Sequence, residues 1–237
     1  MSVMSTITTS VMRKVDHGDV MELRLKRPIG YNFTPGQCID LHDDQGNFRP
    51  YSIASGSKRE CITLYIKRVP GGKVTSWVET LRTNDMVRIS KEAYGFFTPG
   101  ETDKPFVFIA TGTGVAPFLS YIESHADIPD VYSVAPKGAF LGCRRLEEAI
   151  ESATITEFAE EYRYCISQDD IDGYQDICFK GRVTEFLKSD WDIDPDAMYY
   201  LCGLDAMLSE VSEILNDAGV PPENIQQELF YFTGTFN

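Results

Sequence analysis

The stretch Phe106-Val-Phe-Ile-Ala-Thr-Gly-Thr-Gly-Val-Ala-Pro117 joins a compact apolar run to a turn with two glycines and a proline. The apolar run suits a strand covered on both faces, as in a parallel sheet. Gly112 and Gly114 lack a Cβ, so the backbone can approach a ligand closely, and Pro117 suits the first turn of a helix. The N–H groups at that helix start favour an anion such as a pyrophosphate. A plain strand-to-helix turn fits the same residues, because GxGxxG is incomplete.

Strand candidates alternate with helical patterns beyond this stretch. The further strand candidates are Val131–Ala135, Tyr162–Ile166 and Met198–Cys202, and the helical candidates are Pro117–Ser124, Arg144–Glu151, Val183–Leu187 and Ala206–Asn216. This alternation predicts a doubly wound α/β domain, in which a parallel sheet carries helices on both faces.

The chain before residue 92 consists of short strand patterns and turns. Val20–Arg27 alternates apolar and polar residues, the period of a half-buried strand. The other candidates are strands at Gln37–Leu41, Tyr51–Ala54, Ile62–Lys67 and Met86–Ser90, and one short helix at Val74–Arg82. Many short strands at this spacing predict an antiparallel β-barrel or sandwich. We place the boundary near Gly100–Lys104, with a barrel domain over 1–100 and an α/β domain over 101–237.

The charge is large, negative and unevenly divided. The 237 residues include 22 Lys and Arg against 36 Asp and Glu, a net charge of −14. So acidic a chain is a poor general binder of nucleic acid or anionic membranes, which need a positive field. Residues 1–100 hold 14 basic and 10 acidic side chains, whereas the remainder holds 8 and 26. This asymmetry indicates two units with different electrostatic roles.

Metal and export signals are missing from the sequence. The six cysteines form no CxxC and the three histidines no HExxH, so we expect neither a zinc ribbon nor a plant-type iron–sulfur site, and no metal. No run reaches the roughly 20 apolar residues that span a bilayer, and Met1–Lys14 lacks the apolar core of a secretory signal. Scattered cysteines without export indicate reduced thiols and a cytoplasmic protein.

Arg49-Pro-Tyr-Ser52 lies in a predicted strand, where alternate side chains share a face. Arg49 and Tyr51 therefore point toward one ligand. Tyr51 offers a ring for stacking, Ser52 a small hydroxyl, and Arg49 a fork of donors for phosphate oxygens. A flavin needs such a platform, a group near its reactive N5 and cations for its phosphates. A barrel strand with a surface Arg and a half-buried Tyr is the alternative.

Two further motifs complete an ordered set. In Gly71-Gly-Lys-Val-Thr75 the glycines permit close approach, and the N–H groups at the helix start can bind a diphosphate or be capped in the ordinary way. Leu201-Cys-Gly203 follows a predicted parallel strand. Together with Arg49–Ser52 and Thr111–Pro117, these motifs resemble the ferredoxin–NADP(H) reductase family of flavoproteins over nearly the whole chain.

The resemblance implies an FAD-binding barrel followed by an NAD(P)H-binding domain, with Ser52, Cys202 and Glu228 at the reacting centre. The residues implied for FAD are Arg49, Pro50, Tyr51, Ser52, Tyr65, Ile66, Lys67, Gly72, Lys73, Val74, Thr75 and one terminal aromatic, for which Phe230 competes with Tyr231, Phe232 and Phe236. The residues implied for NAD(P)H are Thr111, Gly112, Thr113, Gly114, Pro117, Arg144, Arg145, Ser167, Gln168, Arg182, Cys202 and Gly203. Lys67 fits a solvated strand residue equally well.

The choice between NADPH and NADH rests on cations around the 2′-phosphate. The resemblance implies one Arg after the second parallel strand, a place that Arg144 fits. It implies another Arg after a serine in the next loop, but here Ser167-Gln-Asp-Asp170 lacks it. Arg182 can compensate. We expect NADPH, and NADH stays open.

The implied activity is hydride transfer between NAD(P)H and flavin, with single-electron exchange to a separate protein such as ferredoxin or flavodoxin. An acidic carrier would dock on a basic barrel face, unless that face is merely solvated. The candidate docking residues are Lys67, Arg68, Lys73, Arg82, Arg88 and Lys91. Two alternatives stay open: an NADH-using flavin subunit of a larger oxygenase or iron–sulfur complex, and a nucleotide-binding module without turnover. We expect a monomer with no nucleic-acid or membrane partner.

Overall fold

The fold divides into two compact units. One comprises residues 1–98 with 116–135 and 150–158, and the other comprises 99–115 with 136–149 and 159–237. The computed structural model describes residues 5–95, 97, 99, 104–127, 135–150, 155 and 157–229. None of the helices in this described part is long and apolar enough to cross a membrane.

The first unit is built on six antiparallel strands. Its elements are β1 (Thr6–His17), β2 (Val20–Lys26), β3 (Cys38–His42), β4 (Phe48–Ser52), β5 (Cys61–Lys67), α1 (Lys73–Thr80), β6 (Met86–Ser90) and α2 (Ala116–Asp127). The strand order is β4-β3-β6-β1-β2-β5. Ile53 bridges Leu64 and the Ala54 N–H donates to the Thr63 carbonyl at 2.8 Å, which joins the two edge strands. The predicted antiparallel barrel is confirmed.

Alternating apolar residues fill the barrel. Ile62, Leu64 and Ile66 of β5 are fully buried and pack with Ile39 and Leu41 of β3. This period-2 pattern makes one face of each strand apolar and therefore fixes which face turns inward. The strands predicted from alternation are all present, although β4 begins at Phe48, three residues before the predicted start.

β1 was not among the predicted strands. Its Ser/Thr-rich sequence carries Val11 as a fully buried residue, and the strand pairs with β2 on one side and β6 on the other. β-branched threonine is well suited to a half-exposed strand. Backbone pairing on both sides therefore holds a strand whose apolar pattern is too weak to predict it.

The second unit contains a six-stranded parallel sheet. Its elements are β7 (Phe106–Thr111), β8 (Gly138–Cys143), β9 (Glu161–Ile166), β10 (Cys178–Lys180), α3 (Val183–Ser189), β11 (Met198–Gly203), α4 (Asp205–Asp217) and β12 (Ile225–Leu229). The strand order is β10-β9-β8-β7-β11-β12, and every pair is parallel. The predicted two-domain class, a barrel followed by a doubly wound sheet, is confirmed. Because the order reverses at β7, a crevice forms outside the carboxyl ends of β7 and β11.

The region after β8 departs from prediction. The helix predicted over Arg144–Glu151 is wrong: of this range the structure describes residues 144–150, and these contain one 3₁₀ turn at Leu146–Glu148 and no α-helix. The N–H groups of Glu148 and Ala149 donate to carbonyls three residues back, each at 3.1 Å, and the carboxylates of Glu148 and Asp169 accept the N–H groups of Arg144 and Leu146, at 3.1 and 2.9 Å.

The second strand of the parallel sheet also departs from prediction. It is β8, whose terminal glycines weaken the strand pattern. The predicted strand Val131–Ala135 lies outside the described residues except for Ala135, which is not in a strand. The three-residue β10 is too short to have been predicted.

Candidate functional site

β4 presents the first group of predicted ligands. Arg49 and Tyr51 share a face, in register with Leu41 and Ile39 of β3. The Arg49 guanidinium is exposed and donates through Nη1 to the adjacent Phe48 carbonyl at 2.9 Å. Tyr51 is half-buried against the barrel core. Burial raises the pKa of its phenol, whereas the positive charge of Arg49 acts to lower that pKa. A neutral aromatic ring and an exposed guanidinium therefore lie on one strand face.

The start of α1 forms the second group. Gly72 precedes the helix with extended backbone, and no described side chain caps this end. A Cβ on Gly72 would lie 2.6 Å from Thr75 Oγ1 and 3.0 Å from the Val69 carbonyl oxygen, so the loop requires glycine. The Thr75 hydroxyl is buried and lies 3.2 Å from the Gly72 carbonyl and 3.3 Å from that of Val69. Thr75 thus fixes the loop from within, which leaves the first-turn N–H groups to an anion.

β5 carries three further residues predicted for FAD, and their side chains differ in burial. Ile66 is fully buried in the barrel core, so its side chain lies away from any surface ligand. Tyr65 is 5% exposed, and Lys67 is half-buried at the end of the strand. Tyr65 and Lys67 are the two of this group whose side chains lie outside that core cluster.

The glycine turn of the second unit interlocks with the end of β11. A Cβ on Gly114 would lie 2.6 Å from the Cys202 carbonyl carbon and closer still to its oxygen. A Cβ on Gly203 would overlap Thr111 Oγ1, which accepts the Leu204 N–H at 3.0 Å. Glycine is therefore required on both sides of the crevice between β7 and β11. Pro117 is the buried second residue of α2, so the predicted helix start is confirmed.

A thiol and a carboxyl pair at the same strand end. Cys202 of β11 and Glu228 of β12 are neighbours in register, and Sγ donates to Oε2 over 3.9 Å. Cys202 is fully buried, and burial raises the pKa of its thiol far above the ordinary value. Burial also raises the pKa of Glu228 to about 7, although the hydrogen bond from Cys202 acts in the opposite direction. Cys202 is therefore a neutral thiol, and Glu228 changes charge near neutrality.

The ends of β8 and β9 gather most of the residues predicted for the adenosine end of the nucleotide. The Ser167 N–H donates to the Cys143 carbonyl at 3.1 Å, and the Gln168 N–H donates to the Arg144 carbonyl at 2.8 Å. Arg145 is exposed, with Nη1 3.9 Å from a carboxylate oxygen of Glu147. Arg182 is exposed ahead of α3, one strand further from β7.

Sequence reasoning missed the acidic partners of this loop. Arg144 Nη2 lies 2.9 Å from Glu148 Oε1, an i,i+4 ion pair. The Arg-x-x-x-Glu spacing indicates such a pair on a helix, but this segment is not an α-helix, so the sequence held no direct signal for it. The contact between Asp169 and Leu146 crosses two strand ends, so it needed the parallel register of β8 and β9.

Family profiles match two successive ranges of the chain. The profile described as an oxidoreductase FAD-binding domain matches residues 10–96, and that described as an oxidoreductase NAD-binding domain matches residues 108–213. The chain therefore holds an oxidoreductase FAD-binding domain followed by an oxidoreductase NAD-binding domain, the pair of domains that the resemblance to ferredoxin–NADP(H) reductases implies. The predicted resemblance is thus confirmed, and FAD and a nicotinamide nucleotide are the cofactors of these domain families.

Relatives within and around this family differ in length. Reductase component 1 of terephthalate 1,2-dioxygenase from Comamonas sp is 27% identical over 222 residues, which cover 90% of this chain and 64% of that protein. The chain thus spans less than two thirds of that relative. Ferredoxin–NADP reductase from Pseudomonas aeruginosa is 27% identical over 241 residues, which cover 92% of each. A Neisseria gonorrhoeae ferredoxin NADP+ reductase solved with bound FAD and NADP has a TM-score of 0.80 at 20% identity, over 94% of this chain and 98% of that one.

The residues present fit both cofactors of the family. For FAD, β4 supplies an aromatic ring and a guanidinium, and α1 supplies an uncapped helix start behind a glycine that cannot carry a Cβ. For the nucleotide, the close approach of Gly114 to Cys202 makes a cradle that a Cβ would fill. Phe230 and the other terminal aromatics lie outside the described residues.

Proposed function

We propose that this chain is an FAD-dependent oxidoreductase that transfers hydride between a nicotinamide nucleotide and flavin and exchanges single electrons with a separate carrier such as ferredoxin or flavodoxin. The observation that carries this proposal is the contact between the buried Cys202 thiol and the half-buried Glu228 carboxyl, at the strand end that packs against the glycine turn. The flavin, when bound, supplies the conversion between two-electron and one-electron chemistry. We assign residues 1–100 to flavin binding and 101–237 to nucleotide binding.

Each unit has its own binding role. Arg49 and the first-turn N–H groups of α1 bind the flavin diphosphate, because charged and backbone donors together match phosphate oxygens. Tyr51 stacks on the flavin ring, and the buried Ser52 hydroxyl lies beside the reactive edge. In the other unit, the turn at Gly112–Val115 binds the nucleotide pyrophosphate.

Glu228 tunes the hydride transfer through its charge. A nicotinamide ring becomes positively charged as it gives up hydride, and a nearby carboxylate stabilises that charge. Glu228 is neutral below its pKa of about 7 and ionised above it. Cys202 stays neutral and positions the carboxyl and the ring without acting as a nucleophile.

The proposal predicts that NADH or NADPH bleaches the flavin band of the purified protein under anaerobic conditions. Because Glu228 ionises with a pKa of about 7, the bleaching rate should rise between pH 6 and about 8. Stopped-flow absorbance with each nucleotide over this range measures both the reaction and its pH dependence.

Glu228→Gln is the control for this pH dependence. Its uncharged amide should flatten the pH profile and leave the rate at pH 8 about tenfold lower, with the flavin content unchanged. An unchanged profile would remove Glu228 from this role. A protein that takes up no FAD on reconstitution would refute the enzyme proposal and support the module without turnover.

The carrier is proposed to dock on the exposed basic residues of the barrel. Lys73, Arg82, Arg88 and Lys91 are exposed, whereas Arg68 forms ion pairs with Asp16 and Glu79 and so contributes less net charge. An acidic ferredoxin would be attracted to these exposed basic residues. We place the protein in the cytoplasm as a monomer.

Arg82→Glu with Lys91→Glu should slow ferredoxin reduction about tenfold at low ionic strength, and salt should erase the difference. Reduction of ferricyanide should not change, because this small acceptor needs no docking. Lys188→Glu, on α3 of the second unit, is the matched control and should leave both reactions unaltered. If the rates of ferredoxin reduction and ferricyanide reduction fall equally, the proposed docking site is refuted.

A second candidate is the reductase component of an oxygenase system. The relatives that favour it are named as dioxygenase reductase components, and this chain covers 64% of the first of them. In that case a partner protein would hold the iron–sulfur centre, and a complex with such a partner should copurify with the chain.

A further inference from the structure

The loop after β8 lies where the adenosine ribose of a bound nucleotide is expected. The glycine turn follows β7, and β8 is hydrogen-bonded to β7 on the side away from β11. In doubly wound sheets the pyrophosphate lies at the glycine turn, and the ribose lies beside a residue that follows the next strand. The end of β8, at Cys143–Arg145, is the strand end that meets this description. The charged and hydrogen-bonding groups around it therefore determine the affinity for a ribose 2′-hydroxyl or 2′-phosphate.

Two carboxylates already occupy the donors at this strand end. Glu148 Oε2 accepts the Arg144 N–H at 3.1 Å, while its Oε1 lies 2.9 Å from Arg144 Nη2. The Glu148 side chain is only 13% exposed, whereas the Arg144 side chain is 46% exposed. Asp169 Oδ2 accepts the Leu146 N–H at 2.9 Å. A 2′-phosphate would need the same N–H groups and the same guanidinium.

Charge and hydrogen bonding at this strand end favour binding of NADH over binding of NADPH. A ribose 2′-hydroxyl can donate to a carboxylate, whereas a phosphate dianion only accepts and is repelled. Among the neighbouring cations, Arg145 is exposed and lies 3.9 Å from a carboxylate oxygen of Glu147, which offsets its charge. Lys180 Nζ donates to the Asp169 carbonyl, and Arg182 follows β10, two strands and roughly 10 Å from β8.

We infer that Glu148, supported by Asp169, is a specificity-determining residue that makes this chain select NADH over NADPH. Glu148 holds the Arg144 guanidinium and the Arg144 N–H, and so withholds both from a 2′-phosphate. The inference rests on the proposed function, because it presumes that the crevice at β7 binds a nicotinamide nucleotide.

The test compares NAD⁺ with NADP⁺, which differ only in the 2′-phosphate. Isothermal titration of the oxidised, FAD-loaded protein measures each Kd without turnover. The wild-type protein should bind NAD⁺ at least about tenfold more tightly than NADP⁺. Glu148→Gln keeps an oxygen for the Arg144 N–H but removes the charge. It should shift the ratio of the two Kd values about tenfold toward NADP⁺, and adding Asp169→Asn should shift it further.

Glu147→Gln is the matched control, because Glu147 is exposed and lies 3.9 Å from Arg145. It should leave the ratio within about twofold of wild type. Tighter wild-type binding of NADP⁺, or an unchanged ratio in both Glu148→Gln and Asp169→Asn, overturns the inference while the proposed function stands. If neither nucleotide binds and neither bleaches the flavin, the inference and the proposed function fail together. Flavin content of each variant shows that it is folded.

Discussion

Gly114→Ala should lower the rate of flavin reduction by NADH or NADPH by about a hundredfold or more. The added Cβ would meet the carbonyl carbon of Cys202 at 2.6 Å and the N of Gly203 at 3.0 Å. These are backbone atoms, so no side chain can rotate away, and the turn or the end of β11 must move. A displacement of about 1 Å at a reacting centre costs about a hundredfold in rate.

Gly112→Ala separates the effect of this overlap from that of losing a glycine. No described atom lies within 4 Å of a Cβ built on Gly112, although its φ of +54° costs an L-residue about 1 kcal/mol. Its rate of flavin reduction should therefore fall by about tenfold at most. Stopped-flow bleaching and NAD⁺ titration measure both variants, and flavin absorbance checks that the barrel is loaded. Equal losses of rate in the two variants would show that the overlap with the Cys202 backbone is not the cause.

Arg49→Ala should weaken FAD binding about a hundredfold. Two hydrogen bonds from a guanidinium to a phosphate contribute about 3 kcal/mol together, and 1.4 kcal/mol corresponds to a factor of ten in Kd. The exposed Arg49 donates in this structure to the neighbouring Phe48 carbonyl, so its removal leaves the barrel core untouched. Fluorescence quenching on titration of the apoprotein with FAD measures the Kd.

Two variants define the meaning of that loss. Arg49→Lys keeps the charge without the planar fork and should give an intermediate Kd. Arg13→Ala removes an exposed charge from β1 and should bind FAD as the wild type does. If Arg49→Ala keeps the wild-type Kd, the phosphate contact assigned to Arg49 is refuted.

Strand periodicity predicted most of the fold because each buried strand face is apolar. β2, β3, β5 and β6 were recognisable in this way, whereas β1 was not, since its backbone pairs on both sides while its side chains are largely polar. The predicted helix at Arg144–Glu151 is wrong because the N–H groups of Glu148 and Ala149 bond to carbonyls three residues back, as in a 3₁₀ turn. The contact of Asp169 with Leu146 comes from the next strand, which a local pattern cannot reveal.

The site was predictable where the chemistry lies within one motif. Arg49 and Tyr51 share a face because strand side chains alternate, and this holds without any tertiary information. The raised pKa of Glu228 required knowledge of its burial and of Cys202 beside it. The requirement for glycine at position 114 likewise depends on tertiary structure, because the atom that excludes a Cβ is the carbonyl of Cys202, far along the chain.

The join between β4 and β5 has a thermodynamic consequence. Ile53 and Leu64 form an isolated bridge, whereas β2 and β5 pair over seven residues. Ser52 and Tyr51 directly precede this seam. A ligand bound by these two residues restrains the barrel beside the edge where two strands are joined by a single bridge. A ligand that binds only the closed barrel raises the free energy of unfolding by mass action. Cofactor binding and closure of the barrel are then thermodynamically coupled. Loss of the cofactor weakens the contact between β4 and β5, and opening of that contact weakens cofactor binding.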